Sequence, residues 1–287
     1  MEDATKKRIA SLVKATIDSK KMSARAWSDS VRISPATISQ VLAGKWDLIA
    51  DKMWRKVGAS VNYQGSEWKA AQTRDFRDLT TLLGVAQSDG ITIGVADDAG
   101  RGKTFAMQHY ANNNGEVYYI QCADFWTKKF FLETMYRTLG MEPEVLTSVQ
   151  LASSIINELR KRNKPLVIID EVDKLRDTTL MFFIELYNKL DGVCGFFLAG
   201  APFLRKQIER GAQRDKRGYR EILSRVGRRF ISLKGANEKD VAAICMANGV
   251  SAADDIHAIW NEVEREKDLR RVKREIDKRS AQLRHAA

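Results

Sequence analysis

One loop, set between an apolar strand pattern and a helix pattern, constrains this chain more than anything else in it. Ile91-Thr92-Ile93-Gly94-Val95-Ala96 is apolar and rich in β-branched residues. Asp97-Asp98-Ala99-Gly100-Arg101-Gly102-Lys103-Thr104 follows, and helical spacing resumes from Phe105 to Tyr110. Strand, glycine-bearing loop, Gly-Lys-Thr and helix, in that order, make a cradle for phosphate. The expected contacts run from Asp98 through Ala99, Gly100, Arg101, Gly102, Lys103 and Thr104 to Phe105, because backbone N–H groups of the loop and helix start face an anion. The Lys103 ammonium would reach the β- and γ-phosphates of ATP, and the Thr104 hydroxyl would ligate Mg²⁺. One position departs from the pattern G-x-x-x-x-G-K-[ST]: Asp97 stands where its first glycine belongs. Aspartate tolerates positive φ better than most residues, so the expectation is a strained but possible turn, with Asp97 and Asp98 bringing carboxylates close to the phosphates.

A second stretch supplies the other half of such a site. Residues 166–173 read Leu-Val-Ile-Ile-Asp-Glu-Val-Asp. Four apolar residues in a row suit a strand buried on both faces of a parallel sheet. Asp170 falls at its carboxyl end, where it can hold Mg²⁺ through water, and Glu171 can orient and deprotonate an attacking water. Alone, the first also fits a surface turn and the second a buried strand ending in a solvated acidic turn. Together, in this order, they point to nucleotide hydrolysis.

Composition narrows the class. The chain has 287 residues, 44% hydrophobic and 30% charged, which suits two or three globular domains and excludes a disordered chain. A net charge of +11 favours a polyanion partner, or simply a basic surface. Cys122, Cys194 and Cys245 lie far apart, with no paired metal-binding spacing; Cys122 and Cys194 sit in apolar runs and read as reduced core residues. The first residues lack the apolar core of a signal peptide and no run approaches a membrane span, so a cytoplasmic protein with no membrane association is expected.

Residues 1–60 predict a small helical domain. Ile9, Leu12, Val13 and Ile17 form a stripe; 23–30 is a second helix; Ser34-Pro35 starts a third, with Ile38, Val41 and Leu42 on one face and Gly44 at its end; a fourth runs from about Leu48 to Val57. Two short helices with a tight turn match a helix-turn-helix. Its outer face carries Ser34, Thr37, Ser39 and Gln40 for base edges, and Arg32 and Lys45 for phosphates. Twelve basic and six acidic residues in this stretch also fit a plain four-helix bundle with a solvated basic face. Residues 61–72 break the periodicity and read as a linker.

From 73 onward helices alternate with strands at 91–96, 117–122, 166–170 and 195–200, which predicts an α/β core with a parallel sheet and ligands at the carboxyl ends of its strands. The core is expected to span 73–234 and a helical lid 235–287, with helices at 237–248, 253–264 and 267–284. Leu269, Val272, Ile276 and Leu283 are the apolar contacts of the last. Residues 205–229 hold ten basic and three acidic side chains. Lys128 and Lys129 follow the second strand; they fit two plain surface lysines or, in a loop facing DNA, contacts to phosphates that do not read sequence.

This order of motifs resembles AAA+ ATPases. With a helix-turn-helix in front, it is most similar to the transposon target-selection ATPases typified by the B transposition protein of bacteriophage Mu. The resemblance covers nearly the whole chain. It implies that Ser224-Arg225 is the Ser-Arg motif whose arginine reaches a neighbouring subunit's γ-phosphate, with Arg228 and Arg229 as rivals. It also implies that Arg270 is the lid arginine that senses nucleotide, with Arg271 as rival. The implied activity is slow ATP hydrolysis with Mg²⁺. The implied partners are double-stranded DNA, further copies of the chain in a helical oligomer on that DNA, and a transposase. A helicase-loader-like ATPase and a nucleotide-switched DNA-binding regulator remain as alternatives. Ala201 departs from the family, which usually carries a polar sensor there, and this puts fast hydrolysis in doubt.

Overall fold

The computed structural model describes residues 1, 3–20, 22–61, 63, 68–142 and 145–286. Four helices come first: α1 (Asp3–Ser19), α2 (Ala24–Ser30), α3 (Pro35–Leu42) and α4 (Asp51–Ser60). They close around Ile9, Val13, Trp27, Ile38 and Trp54. The Ser23 and Ser34 hydroxyls accept from the Ala26 and Thr37 N–H groups and cap α2 and α3, and Pro35 opens α3. Two expectations shift. Leu42 faces solvent, and the fourth helix starts at Asp51, because Trp46–Leu48 forms a short 3₁₀ turn. That turn brings the Trp46 ring edge-on to Trp54 at 6.1 Å, while its indole N–H donates to the Val41 carbonyl. The packing leaves Leu48 exposed.

The central unit contains α5 (Arg74–Asp89), β1 (Thr92–Ala96), α6 (Lys103–Asn113), β2 (Val117–Gln121), α7 (Lys128–Thr138), α8 (Ser148–Lys161), β3 (Leu166–Asp170), α9 (Asp177–Leu190), β4 (Gly195–Gly200), α10 (Pro202–Gln213) and α11 (Tyr219–Arg225). The four strands are parallel in the order β1-β4-β3-β2. Every residue of β1, β3 and β4 is buried, as their unbroken apolar runs require of strands covered on both faces. One face packs under α7, α8 and α9, with Phe131, Ile155, Phe183 and Phe196 in its core; the other packs under α5 and α6, with Leu79, Leu83, Met107 and Phe197. Each such buried side chain contributes about 1.5–3 kcal/mol of transfer free energy. On the open side of β1, Ile231 makes a single parallel bridge, donating to the Gly94 carbonyl and accepting from the Ala96 N–H. α1 packs on α6 and α2 on α7.

Three helices finish the chain: α12 (Glu238–Ala247), α13 (Ala253–Val263) and α14 (Leu269–Ala286). Val241, Cys245, Ile259, Val263, Val272 and Ile276 form their core. Leu283, expected among those contacts, lies outside the described side chains. Within the stretch read as a linker, 62 and 64–67 also lie outside the described residues. Its later part does not behave as a linker: Trp68 and Ala71 pack against the core of the C-terminal helices, and the Asn248 side chain accepts from the Lys69 N–H and donates to the Lys69 carbonyl. Periodicity could not show this, because the contacts are single residues meeting a partner far along the chain. Cys122, Cys194 and Cys245 are free and buried. Among the described residues no helix is long and apolar enough to cross a membrane.

Candidate nucleotide-binding site

Because β4 lies between β1 and β3, the loop after β1 and the carboxyl end of β3 flank a crevice above β4. A cleft of about 450 Å³ opens there, lined by the loop, Asp170, Glu171 and Ala201 and by Trp68, Phe76, Leu79, Phe105, Ile244 and Leu269. Its lining joins charged and apolar side chains, as a polyphosphate joined to a flat ring demands.

The loop takes its shape from two glycines. Gly100 and Gly102 have φ of 80° and 85°, and Gly102 caps α6, so the first N–H groups of the helix face the cleft. Asp97 is not in the left-handed region. The expected strain is absent. Asp97 lines the cleft, and its carboxylate accepts from the Leu233 N–H at 2.6 Å and from the Asp98 N–H at 2.7 Å. The Asp98 side chain is 68% exposed and sits beside Arg101. Asp98 alone among the expected nucleotide contacts does not line the cleft; Ala99, Gly100, Arg101, Gly102, Lys103, Thr104, Phe105 and Arg270 all do.

Lys103 and Asp170 carry the electrostatics. The Lys103 Nζ donates to the Asp97 and Asp98 carbonyls at 2.6 and 2.7 Å. Burial holds its pKa below the ordinary lysine value, against the pull of the Asp97, Asp170, Asp98 and Asp173 carboxylates. Asp170 is 1% exposed. Its Oδ2 accepts from the Thr104 hydroxyl at 2.7 Å and from the Tyr119 phenol at 2.9 Å. Burial raises its pKa, although those two hydrogen bonds oppose the shift. A phosphate beside Lys103 and a divalent cation beside Asp170 would each relieve a buried charge. Among the described residues there is no cluster of three acidic, His or Cys ligands. Thr104 and Asp170 instead offer two oxygens, the sparse donor set of Mg²⁺, which keeps most of its waters and takes phosphate oxygens.

Glu171 lines the same cleft in a left-handed backbone with φ of 56°, and its carboxylate is 2.7 Å from the Lys174 ammonium. Ala201 offers no polar side chain; its N–H donates to Asp173 Oδ1 at 3.0 Å. Asp173 and Lys174 join the site without having been expected there. Both lie on the 3₁₀ turn Val172–Lys174 right after the Asp-Glu pair, and nothing in the sequence marks them beyond their charge. Of the two lid arginines, Arg270 lines the cleft, whereas Arg271 is bound to Glu262.

Residues 89–208 match the AAA domain family. That match covers less than half of the chain. It takes in the phosphate loop, Asp170, Glu171 and Ala201, and AAA domains are nucleotide-dependent ATPases that take ATP with Mg²⁺. No curated protein matches the chain.

The remaining expected site residues lie outside the cleft. Arg225 is on α11, its guanidinium 4.6 Å from the Tyr187 ring centre and bonded to Asn188 Oδ1 at 2.9 Å. Arg228 and Arg229 are exposed. Lys128 and Lys129 occupy the first turn of α7 beyond its Thr127 cap; Lys128 lies 4.5 Å over the Phe182 ring, and Lys129 is 4.0 Å from Glu133. Phe125, just before them, is 76% exposed, which no pattern in the sequence signals. In the N-terminal helices Arg32, Ser34, Ser39 and Lys45 are exposed, and Thr37 and Gln40 are half-buried. The Ser34 hydroxyl is bonded to both the N–H and the hydroxyl of Thr37, so part of the polar capacity expected for bases serves the helix cap.

Proposed function

We propose that this protein is an ATP-dependent DNA-binding ATPase that assembles on double-stranded DNA, largely without regard to sequence, and presents that DNA to a transposase as a target-selection and activating factor. The observation that carries the nucleotide half is the junction of Lys103, Thr104, Asp170 and Glu171 in one cleft. MgATP, when bound, supplies the phosphoanhydride and the charge neutralisation of its leaving group. Lys103 leaves the loop carbonyls for the β- and γ-phosphates. Thr104 and Asp170 hold the cation, Asp170 fixed by Tyr119. Glu171 orients a water and takes its proton at a carboxylate oxygen, once released from Lys174. Arg225 of one copy would stabilise developing charge in the next. Trp68, Phe76 and Phe105 supply an apolar seat for the adenine.

Charge carries the DNA half. α10, α11 and the loop between them present Arg205, Lys206, Arg210, Arg214, Arg217 and Arg220 to solvent, and Lys128 and Lys129 stand at a helix N-terminus. The N-terminal helices would be an auxiliary, helix-turn-helix surface reached through Arg32, Ser39, Gln40 and Lys45. A cytoplasmic setting fits a chain with three unpaired cysteines.

Electron microscopy of the full chain with duplex DNA tests this reading. ATP should give ordered assemblies on DNA and ADP should not. A second reading draws on Ala201 and the Glu171–Lys174 ion pair: a regulator that binds nucleotide as a switch and hardly hydrolyses it. Sequence-specific binding by the N-terminal helices, with no ATP-dependent assembly, would favour it.

A further inference from the structure

Asp97 has contacts that a glycine in its place could not make. It is 9% exposed and reaches three parts of the molecule at once. Its backbone N–H donates to the Gly200 carbonyl at the end of β4, and its carbonyl accepts from Lys103. Its carboxylate accepts from the N–H of Leu233, 136 residues away, and lies 3.6 Å from the Arg101 guanidinium.

Leu233 begins the segment that leads from the sheet into the C-terminal helices. The next two N–H groups, of Lys234 and Gly235, are received by the two oxygens of Asp75 at 3.0 and 2.8 Å. The Gly235 carbonyl accepts from Arg74. Gly235 has φ of 75°, and any side chain there would strike the Arg101 guanidinium. Three successive N–H groups of the connector are thus held by two carboxylates, one from α5 and one from the phosphate loop. On its other side the loop meets the start of α14, where the Leu269 N–H donates to the Gly100 carbonyl at 2.9 Å. The loop is thus held by the connector before α12 and by the start of α14.

We propose that Asp97 is a positioning residue that links the phosphate loop to the connector at Leu233–Gly235, so that phosphate at Lys103 sets the attitude of the C-terminal helices. Lys103 holds the Asp97 and Asp98 carbonyls; drawing it to a phosphate releases them. The loop then settles around the anion, and the carboxylate of Asp97 carries that shift to Leu233. A glycine would bind phosphate through the same N–H groups but would leave the Leu233–Gly235 connector held from α5, through Asp75, Arg74 and Asp78, and no longer by a carboxylate of the loop. This inference rests on residues 97–104 being the phosphate cradle.

Spin labels at Ser88→Cys on α5 and Asn261→Cys on α13, both exposed, report the distance between the two units, since all native cysteines are buried. The otherwise native chain should change its distance distribution with Mg-ATPγS. Asp97→Gly should bind a fluorescent ATP analogue within about tenfold of wild type yet lose most of that change. Asp97→Asn, whose amide oxygen can still accept from Leu233, should keep more of it. Hydrogen exchange in wild type gives a second measure: the peptide spanning 232–236 should slow with Mg-ATPγS. An undiminished distance change in Asp97→Gly overturns the proposal. So does loss of all nucleotide binding in that variant, or unaltered exchange at 232–236 in wild type with nucleotide bound. Failure of wild type to bind the analogue overturns the cradle reading itself, and the proposal with it.

Discussion

The Glu171 carboxylate is held 2.7 Å from the Lys174 ammonium, three residues along the same short turn, while Glu171 sits in a left-handed backbone. If Glu171 activates the water, it must leave that ion pair to act. Glu171→Gln should keep ATP binding and lower turnover by about 10²-fold or more, since an amide cannot take the proton. Binding and single-turnover hydrolysis measured on the same preparation check this; turnover at the wild-type rate removes Glu171 from its role.

Lys103→Ala should abolish both nucleotide binding and ATP-dependent assembly, because the ammonium would be the charge that meets the β- and γ-phosphates. A fluorescent-nucleotide titration is sufficient. Thermal melting of the free protein should hardly fall, because the two hydrogen bonds removed are partly exposed.

Arg225 rests on Tyr187 and Asn188 in the single chain. If it serves the next copy, Arg225→Ala should depress turnover only in the assembled state. Mixing it with Glu171→Gln protein should restore part of the activity. Turnover measured across mixing ratios decides the matter, and a flat, unrescued profile places Arg225 outside the reaction.

Reversing Lys128 and Lys129 to Glu should weaken ATP-dependent binding to every DNA sequence. It should also reduce the salt dependence, by about 0.9 log units per decade of salt for each phosphate no longer neutralised. Reversing Arg32 and Lys45 should have a smaller effect and leave the ATP dependence. The reverse ranking in a salt-titrated binding assay would make the N-terminal helices the DNA reader.

Acid should loosen the C-terminal helices through Asp240. Burial works to raise its pKa, but N–H groups of Arg74 and Asn237 and the Arg74 guanidinium outweigh that and hold it below the ordinary 3.8. A depressed folded value stabilises above the unfolded value, and that contribution disappears as pH falls through the folded one. Stability should therefore drop below about pH 4. Asp240→Asn should cost about 1–3 kcal/mol at neutral pH and flatten that acid limb, as read by denaturant melts across pH.

Local patterns in the sequence determined a good deal. The apolar runs at 92–96, 166–169 and 195–199 become buried parallel strands because a two-faced strand has no polar face to alternate. Ser34-Pro35 starts a helix because both the cap and the first-turn preference act within four residues. Gly-Lys-Thr and Asp-Glu meet at one cleft because both end strands of the same sheet. What tertiary structure alone decided involves partners far apart. The Asp97 carboxylate met the Leu233 N–H, Trp68 left the linker to line the cleft, and Lys174 took the carboxylate of Glu171. Arg270, not Arg271, lines the cleft, since one residue along a helix is about 100° of rotation and only the packing of α14 sets which way that points. A side chain's charge is written in the sequence, but its counterpart is chosen by how the strands and helices pack.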